Sequence, residues 1–318
     1  MTLLNVSHLG VSFYSKGKKA TKAINDIHFT VNKGETVALI GESGSGKSVT
    51  SLAIMDLLPE NGRVDSGKVL FNDQNLHDLS KKEIQNIRGK QISMIFQDAM
   101  VSLNPTIKIG KQIADILRFH SIVEKRQLTQ EVLRLLSIVG FLNPLDVYHQ
   151  YPGKLSGGMK QRALIAMAIS CKPALIIADE PTTALDVTIQ KQILDLLNEY
   201  KEQTNTSILL ITHDFGIVAE NADRVIVMYN GEIVESADVF TLFNNPIHSY
   251  TKGLMNSIPK IKEPKAFLTT IRDSEMENQY YGGRQFAPNR FISHVEYDQR
   301  ESRLIEVDPG HFVRFFTN

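Results

Sequence analysis

Gly41-Glu-Ser-Gly-Ser-Gly-Lys47-Ser48 follows the apolar run Thr36–Ile40. The chemistry that suits this spacing is phosphate binding. Glycines at Gly41, Gly44 and Gly46 let successive backbone N–H groups turn inward and form an anion nest. A helix that starts at the end of such a loop points its positive end at the same anion. Lys47 adds a full charge at the β- and γ-phosphates of a nucleotide, and the Ser48 hydroxyl is suited to Mg²⁺. Ser43, Ser45 and Val49 complete the expected nucleotide-binding set on the loop. A plain glycine turn before a helix would not require Lys47-Ser48.

A second constellation is Asp179-Glu180, placed after the continuous apolar run ALIIA. Continuous rather than alternating apolar character marks a strand buried on both faces of a parallel sheet. The carboxyl end of such a strand is where open α/β sheets bind ligands. Asp179 suits the metal side of a phosphate site, and Glu180 could accept a proton from an attacking water. An isolated Asp-Glu pair is usually only solvated; downstream of a phosphate loop and a buried strand, the functional reading is preferred. A third feature is Ser156-Gly157-Gly158 before a helical stretch, a second anion-binding helix start without a phosphate loop beside it.

The elements that must position these residues alternate between short apolar runs and amphipathic stretches, as in α/β architecture. Strands are expected at 3–6, 10–14, 27–31 and 36–40, then at 68–72, 91–96, 174–178 and 207–211. Helices are expected over 46–58 (stopping at Pro59), through much of 106–148, and over 156–171, 188–204 and 215–221. Asn230-Gly231 signals the turn of a hairpin spanning 224–235. Composition shifts after about residue 258. Pro259 and Pro264 bracket the linker KIKE, and nine aromatic residues then fall within 263–318. Disordered tails are poor in aromatics, so a small folded appendage is expected. Its hairpin would be SRLIEV and HFVRFF around Asp308-Pro309-Gly310.

The composition excludes several classes. In 318 residues there are 35 Lys+Arg, 35 Asp+Glu and one Cys. A net charge of zero gives no support to a nucleic-acid binder. A single Cys removes a disulfide framework and any four-cysteine cluster within the chain. No apolar run approaches the length of a membrane span, and the N-terminal residues lack the charge-then-apolar layout of a secretory signal.

Leu155-Ser-Gly-Gly-Met-Lys-Gln-Arg162 resembles the signature sequence of ABC-type ATPases. Gln97 after ISMIF, the DEPTTALD run from Asp179 to Asp186, and His213 after SILLIT stand with it in that family's order and spacing. The resemblance implies an α/β P-loop ABC ATPase core over 1–258, with a mostly parallel sheet and an antiparallel β subdomain. It also implies a helical subdomain at about 98–170 and an appendage over 259–318. Two such domains would pair head to tail around two ATP molecules. Each site would take the phosphate loop from one chain and Ser156, Gly157, Gly158 and Gln161 from the other. By the same resemblance Lys47, Gln97, Glu180 and His213 are catalytic. Gln97, Asp179 and Ser48 would meet Mg²⁺, and Gln97 would also couple to a membrane subunit. Asp186 would lie in the loop between the two domains. An aromatic residue of the first strands would stack on adenine. Strand alternation puts one of Phe13 and Tyr14 inward and the other outward, and Tyr14 is the choice with Phe13 the alternative.

SLNPTIKIGKQI, PTTALDVTIQKQIL, NNPIHSYTKGLMNSIPK, FAPNRF and EVDPGHFVRFF resemble the ATP-binding subunits of oligopeptide/dipeptide/nickel importers. Such a subunit implies a second ATPase chain (a paralogue or a copy), two transmembrane permease subunits and an extracytoplasmic solute-binding protein. It would sit peripherally on the cytoplasmic face of the membrane. The cofactors implied are ATP and Mg²⁺. Many such relatives hold an iron–sulfur cluster in the appendage, and the missing cysteines remove that expectation here. Peptide import is the main reading, and a nickel or metal-chelator importer is the alternative. A non-transport ABC ATPase is disfavoured, because no coiled-coil insertion and no second cassette are present.

Overall fold

The computed structural model describes residues 1–17, 19–97, 102–183, 185–257, 280–281, 283–287 and 301–317. The chain opens with two long strands, β1 (Thr2–Phe13) and β2 (Thr21–Asn32). The two short strands expected at 3–6 and 10–14 are one element, with His8 at φ 52° inside it. β3 (Thr36–Ile40) is buried at every position and delivers the chain to α1 (Lys47–Ile54). That helix stops before Pro59, because Asp56 turns to φ 50° just beyond its last turn. β4 (Gly62–Phe71) and β5 (Gln74–Asn75) follow, then α2 (Lys81–Ile87), which starts on a Ser80/Glu83 capping box. β6 (Ile92–Ile95) leads to Gln97.

The helical stretch 106–148 resolves into α3 (Ile109–Phe119), α4 (Leu128–Ile138) and α5 (Pro144–His149). The breaks fall where the backbone turns left-handed, at Ser121 (φ 52°) and Gly140 (φ 84°), and Pro144 restarts the chain. Next come α6 (Gly157–Ile169), β7 (Leu175–Asp179), α7 (Val187–Thr204), β8 (Ser207–Ile211) and α8 (Phe215–Asn221). β9 (Arg224–Tyr229) and β10 (Glu232–Asp238) form the expected hairpin. Its turn residues Asn230 and Gly231 both have positive φ, 47° and 81°, as a two-residue hairpin turn needs. The remaining elements are α9 (Val239–Asn244), α10 (Ser249–Asn256), β11 (Tyr280–Tyr281), β12 (Arg284–Gln285), β13 (Ser302–Asp308) and β14 (His311–Phe316). The KIKE linker, the expected boundary at 258/259, the start of the helical subdomain at 98, and residues 288–291 of FAPNRF lie outside the described residues.

Packing divides the chain into two units. The first holds residues 1–4, 31–36 and 71–211. Its strands β6, β7 and β8 run parallel, with Ile92 opposite Leu175 and Leu175 opposite Ser207. Every residue of β7 and β8 is buried, as expected for strands covered on both faces. The helices of this unit bury apolar residues at three-four spacing: Ile109, Ile113 and Leu117 on α3, and Val132, Leu135 and Leu136 on α4.

The second unit holds residues 5–30, 37–70 and 212–318. β3 and β9 pair in parallel, and antiparallel pairing continues through β10 and β14 to β13. The expected C-terminal hairpin is present and extends this sheet, with Glu235 opposite Val313. Aromatic packing contributes as expected: the Phe286 and Phe315 rings stack at 5.4 Å, and Ile247 and Val313 are buried beside them. A polar cluster was not foreseen. The carboxylate of Glu235 is fully buried. It accepts from Ile247 N (2.7 Å), His248 N (3.1 Å) and His311 Nε2 (2.8 Å). Arg314 is also buried, and its Nε donates to Ile233 O at 2.7 Å. His248 accepts from Tyr250 N at Nδ1 (3.1 Å), so its proton sits on Nε2 and faces Ala287 O (3.2 Å). Burial holds this ring neutral and lowers its pKa to about 4, although Glu235 pulls the other way.

Candidate functional site

The phosphate loop belongs to the second unit. Gly41 has φ 150°, and a Cβ there would lie 2.2 Å from Met228 O, so only glycine fits. Lys47 is 6% exposed, and its Nζ donates to Gly41 O (2.7 Å) and Glu42 O (2.8 Å). The loop's own carbonyls thus hold the ammonium in place. Glu42 N donates to the hydroxyl of the fully buried Tyr250 at 3.0 Å, which pins the loop from outside its own sequence. No side chain caps α1, and an uncapped helix start is suited to an anion. Ser43, Gly44 and Ser48 are exposed, Ser45 and Gly46 are buried, and Val49 is half-buried.

Phe13 is the last residue of β1 and Tyr14 lies just beyond it, so strand alternation does not separate them; residues 9–12 are all buried. Phe13 is half-buried, and its ring lies 3.0 Å from where a Cβ on Gly62 would be. Tyr14 is exposed; its hydroxyl donates to Asp65 Oδ1 at 2.8 Å, and the Arg63 guanidinium lies over one face of its ring, 5.5 Å from the centroid. That hydrogen bond to Asp65 raises the Tyr14 pKa. His213, also in the second unit, is exposed. The next residue, Asp214, caps α8 by accepting from Gly216 N (2.7 Å) and Ile217 N (3.2 Å).

The first unit carries the carboxylates. Asp179 is 5% exposed at the last position of β7. Glu180 follows at φ 47°, a left-handed conformation uncommon outside glycine, and its N–H donates to Ile211 O at 2.8 Å. Its Oε2 accepts from Gln97 Nε2 (2.7 Å) and Thr183 Oγ1 (2.9 Å). A carboxylate can only accept, so the amide nitrogen of Gln97 must face it. The carbonyl end of Gln97 is then the end suited to a metal ion. Asp179 and Gln97 offer oxygen donors within this unit, and that donor chemistry fits Mg²⁺.

The signature residues also lie in the first unit. Ser156 caps α6, its Oγ accepting from Met159 N at 3.3 Å, and Asp186 caps α7 by accepting from Ile189 N at 3.0 Å. The two helix starts line one groove of about 720 Å³ together with Gly157, Gly158, Leu185 and Ile189. A Cβ on Gly158 would come within 2.8 Å of Ile189 Cγ2, so the close approach of α6 and α7 depends on glycine there. Arg162 ties the back of the groove to Val139 O (2.6 Å) and Gln192 Oε1 (2.8 Å). Gln161 is 4% exposed and does not line the groove; its Nε2 has no hydrogen-bond partner among the described residues.

A second groove of the first unit, about 570 Å³, is largely apolar. Met94, Phe96, Ile116, Phe119, Leu164 and Met167 line it, and Phe96 directly precedes Gln97. Among the described residues no helix is long and apolar enough to cross a membrane. Sequence reasoning missed Tyr250, Arg63, Asp65 and Thr183 as partners of the site. Of these, only Thr183 lies close enough in sequence to its partner for local spacing to signal it.

Residues 24–183 match the family profile described as ABC transporter, and residues 234–293 match that of the oligopeptide/dipeptide transporter C-terminal region. The oligopeptide transport ATP-binding protein AppD of Bacillus subtilis is 48% identical over 289 residues, covering 90% of this chain and 88% of its own. The dipeptide transport ATP-binding protein DppD of Escherichia coli is 46% identical over 271 residues, covering 85% and 83%. Among solved structures, the ATP-binding cassette MJ0796, a dimer in a post-hydrolysis state bound to ADP and phosphate, matches with TM-score 0.67 and 26% identity. That match covers 74% of this chain and 99% of the other.

Proposed function

Because the chain belongs to the ABC transporter family, in the branch with the oligopeptide/dipeptide C-terminal region, we propose that it hydrolyses ATP to power peptide import. The observation that supports this reading is that two helix starts of different kinds, both suited to an anion, occur in one chain. α1 comes with a buried Lys47 and no side-chain cap; α6 comes with Ser156 and an open groove. Head-to-tail pairing of two chains would bring the α6 start of each to the nucleotide held at α1 of the other. The dimeric state of the MJ0796 cassette supports this arrangement. Relatives named for oligopeptide and dipeptide transport favour peptides over nickel or a metal chelate as the solute.

Each residue then has a task. The loop N–H groups and Lys47 bind the β- and γ-phosphates, and Tyr14 stacks on adenine. Glu180 orients and deprotonates the attacking water, and His213 contacts the γ-phosphate. Mg²⁺, held by Ser48, Gln97 and Asp179, would supply charge neutralisation on the phosphates. Ser156, Gly157 and Gly158 present the α6 start to the partner chain's γ-phosphate, with Gln161 supporting that helix from its buried side. Asp186 faces the partner across the same interface. ATP therefore closes the dimer, and loss of phosphate opens it. The apolar groove behind Phe96 takes a cytoplasmic helix of a permease subunit, which holds the chain at the membrane and links it to Gln97. The transporter is completed by a second permease subunit and an extracytoplasmic solute-binding protein.

Glu180→Gln is the decisive variant. It should keep ATP affinity, abolish turnover and accumulate an ATP-bound dimer in size-exclusion chromatography with light scattering. Turnover at the parental rate would overturn the assignment of Glu180 as base.

A further inference from the structure

The turn after β7 holds its carboxylate by a device that the proposed roles leave unused. Glu180 is fixed at φ 47° by its N–H on Ile211 O and by Thr183 N donating back to Glu180 O at 3.2 Å. Pro181 lies between them and locks its own φ. Within this short turn Thr183 Oγ1 donates to Glu180 Oε2 at 2.9 Å, and the hydrogen must point that way because a carboxylate has none to give. Gln97 donates to the same oxygen at 2.7 Å, but it comes from another segment, beyond β6. The two donors therefore differ in permanence. A shift of Gln97 breaks its bond, whereas Thr183 travels with Glu180 on the same turn.

We propose that Thr183 is a positioning residue for hydrolysis: its hydroxyl holds Glu180 Oε2 and fixes the rotation of the carboxylate, whether or not Gln97 stays bound. The inference rests on the reading of Glu180 as the base. Thr183 itself touches neither nucleotide nor water in this role. The side chain is exposed and carries no core packing, so its effect should appear in the chemical step and not in folding. A carboxylate free to rotate spends less time aimed at the water, and that loss falls on kcat while ground-state ATP binding is spared.

The test compares Thr183→Val, which keeps the shape and removes the hydroxyl, with Thr183→Ser, which keeps the hydroxyl, in the full-length subunit. Steady-state ATPase kinetics should show kcat lowered roughly ten- to a hundredfold in Thr183→Val, with KM for ATP within about twofold. Thr183→Ser should recover most of the parental kcat. Parental kcat in Thr183→Val overturns the proposal, and so does a Thr183→Ser as impaired as Thr183→Val, because the hydroxyl would then not matter. Glu180→Gln measured alongside separates the two ideas. If Glu180→Gln still turns over, the base reading falls; if it is dead and Thr183→Val is normal, only the positioning role falls.

Discussion

Lys47 shows how much of a binding site can be stored in one side chain before any ligand arrives. Its ammonium is buried, yet Gly41 O and Glu42 O hold it at 2.7 and 2.8 Å. Lys47→Ala removes both the charge and these ties. ATP affinity, measured by isothermal titration calorimetry, should fall about tenfold or more, the range of charge-assisted contacts to phosphate. Unchanged affinity would count against its phosphate role. The loop was legible in sequence because every part of it is local: glycines, lysine and serine sit within eight positions after an apolar strand. Tyr250 was not legible as its anchor, because its hydroxyl reaches Glu42 N across 208 positions. The choice between Phe13 and Tyr14 stayed open for a similar reason. The partners of the Tyr14 side chain, Asp65 and Arg63, come from another strand, β4, and local sequence does not announce them.

At the scale of elements, the C-terminal hairpin is the informative case. Its turn and aromatic strands could be read from Asp308-Pro309-Gly310 and the flanking residues, and it lies where expected along the chain. Its attachment to β10 could not be read, because the buried Glu235, His248, His311 and Arg314 look like ordinary surface residues in the sequence. Burial of His248 gives a pH dependence. His248 has a folded pKa of about 4 against an ordinary value of 6.5. The neutral ring therefore contributes fully above pH 6.5, and its contribution declines as pH falls from 6.5 toward 4, where the unfolded chain binds a proton that the folded chain refuses. The loss is on the order of 3 kcal/mol over that window. Thermal melts between pH 7.5 and 4.5 should show the decline, and His248→Gln should have a shallower one. Equal slopes in both proteins would rule His248 out as its source. The helices of 106–148 teach the complementary lesson: periodicity found the apolar faces, but the breaks at Ser121 and Gly140 are set by backbone conformation that few residue types announce.

For the whole molecule, a net charge of zero excluded a general polyanion binder but did not reveal anion sites. The proposed sites would use one lysine, backbone N–H groups and helix starts, which formal charge barely counts. Among the described residues no helix is long and apolar enough to cross a membrane, and in the proposed function the solute passes through the permease subunits. The apolar groove with Phe119, 64% exposed at its rim, is the proposed point of transfer. Phe119→Asp should leave ATP binding intact while cutting co-purification with the permease subunits by about tenfold or more, as loss of an interface anchor does. Undiminished co-purification would place the contact elsewhere.

The buried pair of Glu235 and His311 also constrains how the gene can drift. Loss of His311 alone leaves the buried Glu235 carboxyl with two of its three donors, and loss of Glu235 alone strands an imidazole and two backbone N–H groups. The two positions, 76 apart in the chain, are therefore energetically coupled, so a change at one alters the cost of a change at the other.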